Sequence, residues 1–138
     1  MNLVKMLEMQ PYLSGTTEQY MSETQRKHFK KLLDAWRQHL VQAAENTVSF
    51  LQNDTSKLSD QTDNATKEEE MYAKLRKQAR DTKLIKRISS CIRDIEQKDY
   101  GFCESCGAEI GIRRLEARPV AKECVDCKTL AEEKEKVS

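Results

Sequence analysis

The feature that most limits the fold is an 85-residue stretch without glycine or proline, from Thr16 to Tyr100. Glycine and proline mark tight turns, which sheet-rich folds need at frequent intervals. Hydrophobic residues make up only 38% of the chain and charged residues 34%, so little apolar surface is available for one large core. The sequence therefore predicts long helices, and it contains no glycine-rich phosphate loop.

Two helices with apolar seams are predicted within this stretch. Ser22 and Gln25 have the spacing of a capping box at the start of the first helix. Its seam recurs at alternating steps of four and three residues: Phe29, Leu33, Trp36, Leu40, Ala43, Thr47 and Phe50. The second helix has three candidate N-caps, which are Asp63, Asn64 and Thr66. Its seam is predicted at Tyr72, Leu75, Ala79, Thr82, Leu84, Ile88, Cys91 and Ile95, and Gly101 is predicted to end it.

The two seams are joined by about a dozen turn-forming residues, which indicates an antiparallel helical hairpin. We predict a mainly α fold, in which a long coiled-coil hairpin is joined to a small four-cysteine zinc-binding module and a C-terminal helix. The expected divisions are an irregular leader over 1–21 that docks on the module, the hairpin over 22–98 with its tip at about 53–65, the zinc finger over 99–128 and the last helix over 129–138. No apolar run reaches the length of a membrane span and no signal peptide is visible, so we expect a soluble, cytoplasmic monomer without membrane contact.

Four of the five cysteines form two CxxC pairs, Cys103/Cys106 and Cys124/Cys127, with 17 residues between the pairs. This spacing is typical of a site that holds one structural zinc ion by four thiolates. Two disulfides are the alternative, but they favour an oxidising compartment. A thioredoxin-like redox site is another, but it requires a βαβ pattern that the sequence lacks. The other metal-binding residue types are interpreted as structural: Cys91 as a buried hydrophobe, and His28 and His39 as helix-surface residues.

Asp60 and Asp63 lie in the turn-forming stretch with D-x-x-D spacing. Paired carboxylates can bind Mg²⁺ or perform acid–base chemistry, but turn formation and helix capping are the favoured explanation on the residues alone. The residues alone give no indication of an enzyme. The net charge of +1 also argues against a protein held mainly to DNA phosphates.

Several segments together resemble one family. The D-x-x-D-x-A tip is followed by YGFCESCG, IGIRRLEARP and CVDCKTLAE. In these motifs the chain resembles the DksA/TraR zinc-finger family of RNA polymerase-binding transcription factors. The resemblance extends from about Pro11 to the C-terminus.

That resemblance implies a non-catalytic regulator. The coiled coil would enter the secondary channel of bacterial RNA polymerase and set Asp60, Asp63 and Ala65 near the active site. With guanosine tetraphosphate, in the stringent response, it would repress ribosomal RNA promoters and stimulate some biosynthetic promoters. The nucleotide would lie at the polymerase interface, against Arg87, Arg118 and Lys128.

The sequence departs from the family pattern at the tip, where DPxDRA is usual. Gln61 stands in place of the proline and removes a fixed φ, and Asn64 stands in place of the arginine and removes a charge. Arg87 stands where the family has lysine, which keeps the charge but changes its geometry. Two other functions remain open on the residues: a Gre-like transcript cleavage factor, which would use the tip acids, and a zinc finger that binds DNA directly. We expect no independent sequence-specific DNA binding.

Overall fold

A computed structural model describes residues 19–54 and 64–137. This part of the chain is mainly helical and has no strand. Its helices are α1 (Glu23–Asp54), α2 (Asn64–Glu96), α3 (Ile112–Ala117) and α4 (Val125–Val137). At 1.5 Å per residue, α1 and α2 are each about 50 Å long. None of the described helices has the length and apolar character needed to cross a membrane.

Helices α1 and α2 pack side by side in antiparallel directions, as predicted. Near one end, Lys30 Nζ lies 3.5 Å from Glu96 Oε1. Further along, Arg37 donates a 3.3 Å hydrogen bond to Ser89 Oγ. Towards the other end, the Lys74 ammonium lies 3.0 Å from the centre of the Phe50 ring. The partners descend along α2 as they ascend along α1, which defines the hairpin.

The start of α1 has a capping arrangement that differs in one detail from the predicted box. Ser22 Oγ accepts a hydrogen bond from the Gln25 amide at 3.3 Å. The Gln25 side chain accepts from the Met21 amide at 2.7 Å instead of the Ser22 amide. The Ser22 amide is already bonded to the Gln19 carbonyl, so Gln25 reaches one residue further back.

The hydrophobic core lies at the end of the hairpin where α1 begins and α2 ends. The predicted α1 seam is confirmed there: Phe29 and Leu33 are completely buried, and Leu40 is 7% exposed. The core also contains residues from α2 and from the segment that follows it: Ile88, Cys91, Ile92, Ile95, Tyr100, Cys103, Ile110, Leu115 and Val120.

The first half of the predicted α2 seam is wrong. Tyr72 is 60% exposed and Leu75 is 42% exposed, and Ala79 and Thr82 are exposed as well. The positions that are half-buried in this part of α2 are Met71, Lys74, Gln78 and Asp81.

The ends of two helices also differ from the predictions. Helix α2 ends at Glu96, before Gly101, and Lys98 adopts a positive φ of 65° there. Thr66 lies inside α2 and does not cap it.

Helix α4 begins at Val125, four residues earlier than expected, so Cys127 lies in its first turn. Most of the predicted tip, at about 53–65, falls outside the described residues.

Candidate metal centre and basic cleft

The first CxxC pair forms a tight turn just after α2. The Cys103 amide donates to the Ala108 carbonyl at 2.8 Å, and the Gly107 amide donates back to the Cys103 carbonyl at 2.9 Å. Gly107 has a φ of 76°, a conformation that costs glycine little and other residues much. The turn brings Cys103 and Cys106 to the same side.

The second pair is carried by a helix start. The Lys128 amide donates to the Cys124 carbonyl at 3.0 Å, which closes the first turn of α4. Cys124 and Cys127 therefore lie close together at its N-terminus. The Glu104 amide donates to the Lys122 carbonyl at 2.9 Å, and this bond joins the two cysteine pairs through the backbone.

The ligand sulfur atoms of these four cysteines lie within 4.8 Å of one another, and Cys106 Sγ is 3.7 Å from Cys124 Sγ. A hydrogen bond from the backbone amide of Cys124 is the main reason that the pKa of Cys103 is lowered, to about 6. Hydrogen bonding between the side chains of Cys127 and Cys124 is the main reason that the pKa of Cys127 is raised. The sulfurs are too close for all four to ionise unless a cation lies between them. A soft donor set of this kind fits a closed tetrahedral zinc site.

The metal-binding segment is fixed to the end of the hairpin by buried contacts. The Tyr100 hydroxyl donates to the Pro119 carbonyl at 2.7 Å, and the Tyr100 ring lies 5.7 Å from that of Phe29. His28 Nε2 lies 3.3 Å from Glu116 Oε1, and the His28 side chain is only 13% exposed. The prediction of a surface position is therefore wrong for His28, because α3 covers it, although His39 is exposed.

Residues just before α1 also contact this segment. Of the predicted leader, only 19–21 belong to the described residues. The Tyr20 hydroxyl donates to the Gly101 carbonyl at 2.6 Å and accepts from the Gly111 amide at 3.0 Å. A Cβ on Gly101 would meet the Met21 side chain at 3.0 Å, and Gly101 also has a φ of 94°. The backbone conformation therefore favours glycine there, and a Cβ would in addition force the Met21 side chain to shift.

Cys91 is separate from the sulfur cluster in the sequence and in its environment. It is 1% exposed within the core, as predicted for a small hydrophobe. Burial raises the pKa of its thiol to about 11. It is therefore a neutral thiol at ordinary pH.

A cleft of about 250 Å³ opens beside the metal-binding segment and brings together Arg87, Arg118 and Lys128. These three residues come from three different elements: α2, the end of α3 and α4. Arg114 and Lys122 also line the cleft, and the sequence reasoning missed both. The spacing of Arg114 and Arg118 in the RRLEAR segment, four residues apart at the end of one helical turn, was a usable signal. No pattern pointed to Lys122.

Two carboxylates also line the cleft, those of Glu104 and Glu123. The Ser105 hydroxyl lies 3.5 Å from Glu123 Oε1, and Arg114 Nε donates to the Glu123 carbonyl at 3.2 Å. With five basic residues against two acidic ones, the cleft is a candidate anion-binding site.

The predicted tip residues are only partly covered by the structure. Asp60 and Asp63 lie outside the described residues. Ala65 is exposed in the first turn of α2, at the opposite end of that helix from the cysteines. The structure therefore does not bring Ala65 near the cleft.

Comparison with known proteins gives matches over most of the chain. Residues 25–95 match the family model described as DnaK suppressor protein DksA, N-terminal domain. Residues 98–133 match the prokaryotic dksA/traR C4-type zinc finger. The zinc-finger match covers all four of the clustered cysteines. Cys103, Cys106, Cys124 and Cys127 therefore hold one structural zinc ion.

Individual relatives match over nearly the full length. The chain is 46% identical to the RNA polymerase-binding transcription factor DksA of Salmonella typhimurium over 136 residues, 99% of this chain and 90% of that protein. It is 45% identical to the DksA of Escherichia coli K12 over the same shares. A solved structure, that of transcription factor DksA2 from Pseudomonas aeruginosa, is similar with a TM-score of 0.78 and 34% identity, over 96% of this chain and 97% of that one.

Proposed function

The chain belongs to the DksA/TraR zinc-finger family, and we propose that it binds bacterial RNA polymerase and regulates transcription initiation without catalysing a reaction. The observation that carries this proposal is about 45% identity to curated proteins over 99% of the chain. Those relatives are named as RNA polymerase-binding transcription factors, not as enzymes. Since bacterial RNA polymerase works in the cytoplasm, the proposed role is there.

The hairpin is the proposed probe. Two antiparallel arms of about 50 Å make a slender projection, long enough to enter the secondary channel of the polymerase. In this proposal the channel receives the end where α1 stops and α2 starts, and Asp60, Asp63 and Ala65 come near the active site. Ribosomal RNA promoters would be repressed and some biosynthetic promoters stimulated.

The basic cleft is the proposed site for guanosine tetraphosphate, between this chain and the polymerase. Arg87, Arg118 and Lys128 line one cleft, although they come from three different elements. Guanidinium and ammonium groups make strong, charge-assisted hydrogen bonds to phosphates. Arg87 and Arg118 are exposed, so a polymerase surface can complete the site from outside.

Transcription from a ribosomal RNA promoter with purified components tests the proposal. We expect the wild-type chain to inhibit, and guanosine tetraphosphate to strengthen the inhibition. Asp63→Asn should keep polymerase binding but weaken inhibition roughly tenfold, equivalent to about 1.4 kcal/mol, because it removes the negative charge that the proposal sets near the active site. Asp126→Asn, an exposed acid on α4, is the matched control and should inhibit like the wild type.

Each part of the proposal can fail separately. Wild-type protein that neither binds the polymerase nor inhibits would overturn the whole proposal. Full inhibition by Asp63→Asn would overturn the role of the tip. An unchanged nucleotide effect in Arg87→Ala would overturn the role of the cleft. Cleavage of the transcript in backtracked complexes would instead support a Gre-like activity, and a sequence-dependent gel shift without polymerase would support direct DNA binding.

A further inference from the structure

Lys122 lies in the wall of the basic cleft, and its ammonium group contacts two residues there, Ser90 and Glu104. Its ammonium donates a 3.1 Å hydrogen bond to Ser90 Oγ on α2. It also lies 3.8 Å from Glu104 Oε1, and the Lys122 side chain is 29% exposed against 63% for Glu104. Lys122 therefore spans from the second cysteine pair to the hairpin, with its charge already placed at the cleft.

The two contacts differ in strength. Ser90 is a neutral partner at normal hydrogen-bond distance. The carboxylate of Glu104 is mostly exposed and near the limit of an ion pair, and such pairs contribute little. The Glu104 and Lys122 backbones are nevertheless bonded, so the carboxylate remains beside the ammonium. Glu104 is thus a weak internal anion that a stronger external one can displace.

The position of Lys122 relative to Arg87 decides what kind of ligand reaches it. Arg87 lies one helical turn before Ser90 on α2, and residues three apart share a helix face. Arg87, Lys122 and three other cations line a cleft of about 250 Å³. A ligand with more than one phosphate group can contact several of them at once.

We propose that Lys122 is a further phosphate-binding residue of this cleft and that Glu104 competes with the ligand for its ammonium group. Glu104 thereby lowers the affinity of the cleft for its phosphate ligand. This inference rests on the proposed function of the cleft as the guanosine tetraphosphate site.

Equilibrium binding of labelled guanosine tetraphosphate to the complex of the full chain with RNA polymerase tests this inference, after subtraction of binding to the polymerase alone. Lys122→Met should weaken binding roughly 3- to 10-fold, the usual value of a partly exposed charge-assisted bond. Lys122→Arg should keep most of the affinity. Glu104→Gln should strengthen binding roughly 2- to 3-fold, but only when Lys122 is present, because the two act on the same group.

Two controls separate the charge from a structural role. Lys30→Met removes a lysine from a similar exposed pair, with Glu96, outside the cleft, and should bind like the wild type. Ser90→Ala removes the neutral partner of Lys122 but keeps its charge, and should change binding less than Lys122→Met does. Raised salt should weaken binding less steeply in Lys122→Met than in the wild type.

The outcomes also distinguish the inference from the proposed function. Weakened binding in Arg87→Ala with normal binding in Lys122→Met would overturn the inference alone. Normal binding in Arg87→Ala, Arg118→Ala and Lys122→Met would overturn both. An equal loss in Ser90→Ala and Lys122→Met, with unchanged salt dependence, would assign Lys122 a structural role and overturn the inference.

Discussion

The two halves of the hairpin are built differently. The basal half consists of residues 23–40 of α1 and 85–96 of α2, and the distal half of residues 41–54 and 64–84. Every buried apolar side chain that the structure describes in these helices lies in the basal half. The distal half exposes Val41, Val48, Tyr72 and Leu75 by 40% or more, and its described side chains include no buried one.

This difference separates folding from recognition. Apolar burial stabilises by about 25 cal/mol per Å², so the basal half and the zinc module carry most of the stability of the chain. The distal arms are held by half-buried contacts such as Lys74 on Phe50. They depend on the base for their alignment, and their side chains remain accessible to a partner.

Zinc removal should have the largest effect on the difference in stability between the basal half and the distal half. Structural zinc contributes on the order of 10 kcal/mol to folding, and here it joins a short turn to the start of α4. Chelation should abolish hydrogen-exchange protection at the amides of Cys103, Gly107 and Ile110, which donate backbone hydrogen bonds in this fold. We expect the amides of the distal half to be weakly protected even with zinc, because no described side chain there is buried, so they should change little.

The cysteines offer a matched control for the zinc experiment. Cys103→Ser should lose the metal and the protection together, whereas Cys91→Ala should bind one zinc ion per chain, since Cys91 lies outside the cluster. Metal content and hydrogen exchange measure these results. Full protection in the zinc-free chain would show that the apolar core alone folds the base.

The next largest effect is expected from replacing a phenylalanine of α1, and it should differ between the two halves of the hairpin. Phe29 is completely buried in the base, and Phe29→Ala should lower the free energy of unfolding by about 3–5 kcal/mol. Phe50 is half-buried in the distal half, where the Lys74 ammonium lies over its ring. Phe50→Ala should cost about 1 kcal/mol. Urea unfolding of the zinc-loaded variants measures both.

If Phe29→Ala does not fold, Phe29→Leu is the measurable substitute, with an expected cost of about 1–2 kcal/mol. Equal losses at positions 29 and 50 would contradict the division, because they would require comparable packing in the two halves.

The sequence predicted the features of the fold that depend on local patterns, but not those that depend on how distant segments dock. The glycine- and proline-free stretch predicted the long helices, and the CxxC spacing predicted the zinc ligands, because both signals are local. The position of Lys122 beside Ser90 depends on how the module docks on α2, 32 residues away in the chain. No local pattern carries that information.

The wrong half of the α2 seam has a different cause. The predicted seam followed apolar residues and changed register between Thr82 and Leu84, a step of two. The buried Ile88, Ile92 and Ile95 instead fix the rotation of the helix. Continued backwards at steps of three and four, this register gives the half-buried positions: Ile85, Asp81, Gln78, Lys74 and Met71. A continuous helix cannot rotate at its distal half to bury Tyr72 and Leu75, so polar residues occupy the seam there.

The smallest effect on stability is expected at Gln78, one of the polar residues that occupy the distal seam of α2. Its side chain is half-buried and lines an apolar groove with Val41, Ala44 and Ile85. Gln78→Leu should raise the free energy of unfolding by about 1 kcal/mol and slow hydrogen exchange in the distal half. Gln38→Leu, at an exposed position of α1, is the control and should change stability by less than about 0.5 kcal/mol. An equal gain in both variants would point to helix propensity, whereas a gain confined to Gln78→Leu means that the distal arms are loosely packed because polar residues occupy their seam.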